Sequence, residues 1–363
     1  MKLFSFKSRP QQNEHQIPHV RVGVAHLIGY GKLRCEQSHL IMECDDRRQV
    51  RVDVEGLVEV LLYGKVSITA DAIEVLNQQR IALTLLDISG TRILGRLAQD
   101  QSDRTLMRLL QLQSASDSQW SLALARDIVR EKLETTLAAL RHYQRQGKKP
   151  SPGVLEKLDR SQQACQSATS VESLRGIEGQ AAAVWYSQYG NMFRKQWTFS
   201  KRTRRPPRDP VNALLSLGYM QVYRRCVARL EASGYEASLG ALHEFRSGRM
   251  SLACDIMEPL RIPAVDRWVL AICQQGMVQP TDFETRGDGG VMLRKEKLRD
   301  VLVRFEEHWH QSMFRFHLDN YVGKLRDSLR DRVSSETSRM SAELKLAVVR
   351  ASRGSGGEEV YEP

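Results

Sequence analysis

Hydrophobic and polar positions alternate along roughly the first hundred residues, as they do in β-strands with one buried face. Two alternating stretches, 40–44 and 50–54, are separated by a short polar turn, which predicts a β-hairpin. Further strands are predicted at 58–64 and 81–86. Between them, residues 69–79 have apolar side chains at helical spacing. The pattern therefore predicts a small, mostly β domain that carries one helix.

Helical spacing replaces this alternation after Asp103. Residues 118–144 carry apolar side chains every three or four positions, with charges elsewhere. Two later helix starts are marked by capping residues: 169–172 has the form of a capping box, and Asp209 precedes a proline at the first helical position. The predicted fold class is α+β, with a small N-terminal β-sheet domain followed by a larger all-α domain.

Four segments follow from these patterns and from the length of 363 residues, which is enough for about two domains. Residues 1–18 form a polar tail, 19–112 the β domain, 113–333 the helical domain, and 334–363 a C-terminal extension. The extension is polar, includes a glycine-rich stretch at 354–357 and has an acidic end. We expect it to be partly disordered, since such a composition buries little apolar surface.

The net charge and the cysteine positions limit the classes of ligand and metal site that this chain can have. The net charge of +11 and the isoelectric point of about 9.5 attract polyanions, with nucleic acid the first candidate and a membrane surface the second. No amphipathic helix joins a bulky aromatic edge to a Lys/Arg cluster, which argues against the membrane. Six scattered cysteines without a CxxC pair argue against a zinc ribbon or finger and indicate reduced thiols. Without a signal-peptide core or a run of about 18 apolar residues, the chain is expected to be cytoplasmic.

Three acidic residues and one histidine stand out as candidate catalytic and metal-binding residues. Glu178 lies among small and apolar residues near a helix start, and His243 follows an apolar pair. Asp255 and Glu258 are three residues apart, so on a helix they face the same way, and their neighbours are apolar. Taken singly, these residues also fit a helix-start carboxylate, a partly buried histidine and a solvated acidic face. Together they offer hard oxygen donors and an imidazole, which suit Mg²⁺ or Mn²⁺ and phosphoryl chemistry on nucleic acid.

A basic segment at 193–208 alternates cations with aromatic residues, and its prolines stop any helix. Cations can hold phosphates while an aromatic ring packs on bases or sugars, so this segment is the candidate DNA-binding surface. A solvated loop or a localisation signal would have a similar composition. The candidate DNA-binding residues are Arg194, Lys195, Trp197, Lys201, Arg202, Arg204, Arg205 and Arg208.

One other group of possible metal ligands is weaker. Acids and histidines are close in sequence at 306–310, but residues two apart on a helix do not face together. A surface helix is the better interpretation of this segment. No P-loop or GxSxG pattern is present, so the sequence gives no sign of a nucleotide-binding loop or of a serine nucleophile.

The acidic and histidine motifs resemble those of the CRISPR-adaptation integrases, the Cas-one (Cas1) family. LRGIEGQAA around Glu178 is similar to the family's first metal-ligand motif, and 207–219 is similar to its central helix motif. Leu242-His243 and the segment 251–270 resemble the second and third metal-ligand motifs. The likeness covers roughly residues 20–330, so it does not rest on one stray motif.

The resemblance implies that Glu178, His243 and Glu258 are metal ligands for Mg²⁺ or Mn²⁺, and that Asp255 is an acid beside them whose role is open. It also implies a catalytic helical domain, a homodimer formed through the β domain, and a complex in which two such dimers flank a dimer of the small Cas-two (Cas2) protein. The implied activity is insertion of double-stranded prespacer DNA into a CRISPR repeat, by attack of its 3′-hydroxyl on a phosphodiester. The alternatives are a metal-dependent nuclease on branched or single-stranded nucleic acid and a non-catalytic DNA-binding scaffold.

Overall fold

Strands come first in this chain and helices follow. The computed structural model describes residues 23–37, 39–45, 48–55, 57–79, 81–97 and 105–336. The predicted polar tail at 1–18 lies outside these ranges, as does the C-terminal extension apart from 334–336. Strands predominate up to Leu97 and helices from Thr105 onward, which confirms the predicted α+β class. The domain boundary between residues 112 and 113 stays a prediction.

In the described part of the N-terminal domain, two four-stranded sheets pack with one helix. Its elements are β1 (Gly23–Ile28), β2 (Gly31–Glu36), β3 (His39–Cys44), β4 (Gln49–Asp53), β5 (Leu57–Tyr63), β6 (Val66–Ile68), α1 (Ala70–Gln78), β7 (Ala82–Leu86) and β8 (Ile93–Leu97). The first sheet has the order β1-β5-β7-β8, and the second has the order β4-β3-β2-β6. β3 and β4 pair antiparallel, which confirms the predicted hairpin, and α1 fills the predicted helical segment.

Strand β5 explains why part of this domain has an almost continuous apolar sequence. Val60 and Leu62 belong to the core that the two sheets share, whereas Leu61 and Tyr63 belong to the core of the helical domain. A strand that is buried on both faces needs apolar residues at nearly every position. β5 therefore packs against the helical domain with one face and against the second sheet with the other.

Helices dominate the second domain. Its elements are α2 (Thr105–Ala115), α3 (Ser118–Arg145), α4 (Val154–Ser167), α5 (Val171–Tyr189), α6 (Pro210–Ala232), α7 (Ser251–Met257), α8 (Arg267–Gln274), β9 (Phe283–Thr285), β10 (Val291–Leu293), α9 (Lys295–Gln311) and α10 (Phe314–Glu336). Asp209 caps α6 as predicted, because its side-chain oxygen accepts a hydrogen bond from the N–H of Asn212. Helix α5 is capped by Ser170, one residue after the first position of the capping box predicted at 169–172. The short hairpin β9–β10 is an addition that the helical pattern did not indicate.

A buried ionic network joins the two domains. His26 on β1 has Nδ1 2.9 Å from the Tyr63 hydroxyl and Nε2 3.1 Å from the Glu306 carboxylate. Arg224 on α6 forms ion pairs with Glu59 of β5 and with Glu306. Because Glu306 is fully buried, the prediction of a surface helix is wrong at this residue. Arginines compensate its charge in place of water.

All six cysteines carry free thiols, and four of them are buried, as the scattered sequence positions predicted. Burial raises the pKa of the Cys226 and Cys273 thiols, so both keep their protons and act as core side chains. Among the residues that the structure describes, no helix is long and apolar enough to cross a membrane.

Candidate metal centre and nucleic-acid interface

Three elements of the helical domain bring the candidate metal ligands together. Helix α3 starts at Ser118, where the side chain of Asp117 caps it. Helix α5 packs along α3, and the 3₁₀ turn Glu258–Leu260 that follows α7 packs on α3 as well. Glu178 on α5 and Glu258 thereby approach the same residue of α3, Lys132.

Lys132 is the common partner of two predicted metal ligands. It is 5 % exposed, and its ammonium donates hydrogen bonds to Glu178 and, over 2.5 Å, to Oε2 of Glu258. The same Oε2 lies 2.9 Å from Nε of Arg261. Burial alone would raise the pKa of Glu258, but Arg261 and Lys132 lower it to about 2. This carboxylate is therefore ionised at neutral pH.

His243 is oriented by Asp255. Nδ1 of His243 lies 2.6 Å from Oδ1 of Asp255, and the same carboxylate accepts hydrogen bonds from the backbone N–H groups of 241–243 over 2.7 to 3.0 Å. Burial raises the pKa of Asp255. Nε2 of His243 lies on the side of Glu258, whose Oε1 is 3.9 Å away. The structure therefore groups Asp255 with the histidine and not with the carboxylates that Lys132 joins.

Gly240 makes room for this arrangement. A Cβ atom at Gly240 would lie 2.8 Å from Oδ2 of Asp255 and 2.8 Å from the carbonyl oxygen of His243, closer than real Cβ atoms approach such groups. The chain after His243 is held by Ser251, whose hydroxyl donates to the carbonyl of Glu244 over 2.8 Å. These contacts keep the histidine in one place beside α7.

The predicted metal ligands converge, with a lysine ammonium among them. Within the described ranges, no three His, Cys, Asp or Glu side chains are grouped closely enough to hold a metal ion, and the ammonium of Lys132 lies between Glu178 and Glu258. The donor set nevertheless fits a hard divalent cation. Two carboxylates already share one positive charge, and His243 presents an imidazole nitrogen beside one of them.

Trp197 is not available for the DNA contact that the sequence predicted. It is 6 % exposed, and its ring packs edge-on against Phe283 of β9, with the ring centroids 6.3 Å apart. Phe199 packs against Tyr186 and Tyr189 in the same way that core aromatics do. Burying these rings removes a large apolar area from water, so they stabilise the fold. The prediction of base stacking is therefore wrong for Trp197.

Arg202 is also engaged within the protein. Its guanidinium donates to Oδ1 of Asn212 over 2.8 Å and lies over the ring of Tyr219, 5.3 Å from the centroid. Arg208 is exposed and donates to the backbone carbonyl of Asp288 over 3.0 Å. DNA binding by the other cations of the segment stays a prediction, and all of them are exposed: Arg194, Lys195, Lys201, Arg204 and Arg205.

Sequence reasoning missed two buried charged residues near these helices. Lys132 lies next to Leu133 on the buried side of α3, so it interrupts an apolar stripe, and that interruption was the available signal. Asp266 accepts a hydrogen bond from Nε1 of Trp185 over 2.6 Å and another from the hydroxyl of Tyr219. Burial raises the pKa of Asp266 to about 6. Because these partners lie on α5 and α6, Asp266 ties together two helices, one of which carries Glu178.

Known proteins match most of this chain. Residues 26–307 match the family model for the CRISPR associated protein Cas1. A CRISPR-associated endonuclease Cas1 of Thermus thermophilus is 33 % identical over 283 residues, which cover 78 % of this chain and 85 % of that protein.

Two solved structures share the fold. A CAS1 protein from Thermotoga maritima superposes with a TM-score of 0.76 at 23 % identity, over 84 % of this chain and 96 % of the other. A chain of a Cas6-RT-Cas1–Cas2 complex superposes with a TM-score of 0.74 at 27 % identity. That match covers 88 % of this chain but only 36 % of the larger one.

Proposed function

This chain belongs to the Cas1 family and is a DNA integrase of CRISPR adaptation, and we propose that it works through a divalent metal ion held by Glu178, His243 and Glu258. One observation carries the proposal. Glu178 and Glu258 both contact the ammonium of Lys132, and Nε2 of His243 lies beside Glu258. Oxygen-rich sites of this kind suit Mg²⁺ or Mn²⁺ and the phosphodiester chemistry that these ions support.

In the proposed reaction, the 3′-hydroxyl of a double-stranded prespacer attacks a phosphodiester at the boundary of a CRISPR repeat. The attacking hydroxyl gives up its proton as the new P–O bond forms and the old one breaks, and the leaving 3′-oxygen takes up a proton, so no further co-reactant is needed. Bound Mg²⁺ or Mn²⁺ would supply positive charge that polarises the phosphate and stabilises the transition state.

The protein's own groups prepare this site. Asp255 accepts a hydrogen bond from Nδ1–H of His243, which leaves Nε2 with a free lone pair that can bind a cation. Arg261 stays beside Glu258 and helps to keep it ionised. We propose that Asp255 acts as a positioning residue, with no direct contact to the reacting atoms.

Open surface beside Glu178 would admit the DNA. Cβ atoms at Gly176 and Gly179 would meet no other atom within 4 Å, so this stretch of α5 is uncrowded. Arg246 is exposed and lies three residues after His243. Cations at such positions hold phosphates and fix the register of a duplex without reading its sequence.

The partners are part of the proposal. One relative of known structure belongs to a Cas6-RT-Cas1–Cas2 complex, and this supports a Cas2 protein as partner. The implied homodimer through the β domain, and the arrangement of two dimers around a Cas2 dimer, are proposed on the family resemblance. Double-stranded prespacer and repeat DNA are the proposed substrates, in keeping with a net charge of +11.

The test combines the purified chain and its Cas2 partner with a short duplex and a supercoiled plasmid that bears a repeat array. We expect joining of 3′-hydroxyl ends with Mg²⁺ or Mn²⁺ and none with EDTA. Glu178→Ala and His243→Ala should abolish joining, while Glu296→Ala, at an exposed position of α9, should leave it unchanged.

A donor with a blocked 3′ end separates the competing activities. Blocking should abolish integration, because the nucleophile is lost. Cleavage that persists with the blocked donor, without joining of the open one, would identify a nuclease. DNA binding with neither activity would identify a scaffold, although a scaffold gives no physical reason to keep Lys132 and Glu258 buried beside Glu178.

A further inference from the structure

Lys132 is a buried ammonium that the reaction described above does not use. Two carboxylates surround it, and both belong to predicted metal ligands. A buried ammonium is stable only when it is paired and hydrogen-bonded, so these contacts are what permits a lysine at this position of α3. The carboxylates in turn are held close together by the charge between them.

The charges around Lys132 disfavour a metal ion on the carboxylate oxygens that it contacts. Glu178 and Glu258 carry two negative charges, which Lys132 and Arg261 already balance. A divalent cation on the same oxygens would add two positive charges at close range to the ammonium. In a site this buried, such a repulsion is weakly screened.

We propose that Lys132 is a built-in competitor of the divalent metal ion: its ammonium occupies the carboxylate oxygens of Glu178 and Glu258 and withdraws when the metal binds. The inference rests on the metal site of the proposed function. The lysine side chain is suited to this exchange, because a flexible four-carbon stem lets the ammonium move while the backbone of α3 stays in place.

Two consequences follow from competition. Without metal, Lys132 holds the two carboxylates in a compact arrangement and stabilises the fold. With metal, the contacts between ammonium and carboxylates have to be broken first, and this lowers the affinity of the site. A lysine that stayed in place as a fixed strut would have the opposite signature, since its removal would loosen the ligands and weaken metal binding.

The experiment measures Mn²⁺ binding by titration calorimetry and thermal unfolding with and without Mn²⁺, on the full chain. The neutral variants Lys132→Met and Lys132→Gln should bind Mn²⁺ roughly tenfold or more tightly than wild type. Their melting temperature without Mn²⁺ should fall, and the rise that Mn²⁺ produces should exceed that of wild type. Lys132→Arg keeps the charge and should bind Mn²⁺ no more tightly than wild type.

Control variants separate this inference from the proposed function. Lys157→Met, at an exposed position of α4, should match wild type in both measurements. If wild type and His243→Ala both fail to bind Mn²⁺, the proposed metal site itself is wrong. If wild type binds Mn²⁺ but the neutral Lys132 variants bind it equally or more weakly, only the competition is wrong. If the neutral Lys132 variants fold only when Mn²⁺ is present, that result would support the competition. If they stay unfolded both with and without Mn²⁺, that result would overturn it.

Discussion

Oδ1 of Asp255 lies 2.6 Å from Nδ1 of His243, and the same carboxylate accepts hydrogen bonds from the backbone N–H groups of 241–243. The contact decides which imidazole nitrogen can bind a cation, because donation from Nδ1 leaves the lone pair on Nε2. Helical spacing had paired Asp255 with Glu258. In the folded chain, Asp255 orients the histidine, and Glu258 turns to Lys132.

Asp255→Asn tests this orientation. An amide group donates where the carboxylate only accepts, so either Nδ1 of His243 or a backbone N–H loses its acceptor. We expect Mn²⁺ binding to weaken by roughly 10- to 100-fold, the usual effect of losing the partner that orients a ligand histidine. Titration calorimetry measures it. The control Asp300→Asn, at an exposed position of α9, should bind Mn²⁺ as wild type does. An unchanged dissociation constant for Asp255→Asn would contradict the proposal that Asp255 orients His243.

Gly240→Ala should disturb the same contact from the other side. The added Cβ would meet Oδ2 of Asp255 and the carbonyl of His243 at 2.8 Å each, so one of them has to move. We expect the joining rate to fall by roughly tenfold or more, because small displacements of catalytic groups are costly. Gly323→Ala is the matched control, since its Cβ meets no atom within 4 Å and alanine favours the helix by up to about 1 kcal/mol. Wild-type joining by Gly240→Ala would show that the site tolerates the shift.

The double variant Arg204→Gln/Arg205→Gln tests the exposed part of the basic segment. If each arginine neutralises one phosphate, the slope of log Kd against log salt should become shallower by about 2. The melting temperature should stay the same, because both side chains are exposed. Arg202→Gln should instead lower the melting temperature, since Asn212 and Tyr219 hold that guanidinium. A salt slope that does not change would remove Arg204 and Arg205 from the DNA contact.

Glu306 should make the domain junction sensitive to acid. Burial alone would raise its pKa, but Arg225 and the contact with His26 hold the pKa well below the usual value of 4.5. A carboxylate with a lowered folded-state pKa contributes stability above pH 4.5, and this contribution is lost as the pH falls through the folded-state value.

Glu306→Gln removes this contribution. We expect it to lower the free energy of unfolding at pH 7 by about 3 to 5 kcal/mol, because it leaves the buried guanidinium of Arg225 without a carboxylate partner. Below pH 4.5 the difference from wild type should shrink. Thermal unfolding between pH 3 and pH 7 measures both effects, with the exposed Glu307→Gln as control. Parallel stability curves for wild type and Glu306→Gln would mean that Glu306 does not titrate in this way.

The sequence by itself determined the local elements. The hairpin of β3 and β4, helix α1 and the cap at Asp209 depend on residues a few positions apart, so periodicity and capping chemistry suffice to predict them. The motifs around Glu178 and His243 stood out through the family resemblance, since each residue taken singly also fits a structural role.

Only the tertiary structure decided which charged and aromatic residues are buried. Lys132 is 46 residues from Glu178 and 126 from Glu258, so no local sequence pattern predicts these ion pairs. Trp197 is buried and not on the predicted DNA-binding surface, because its ring packs against Phe283 of β9. An amphipathic or charged side chain is buried only when it has partners that offset the free-energy cost of its desolvation. Those partners come from elements distant in sequence, so only the packing of the elements determines whether they are present.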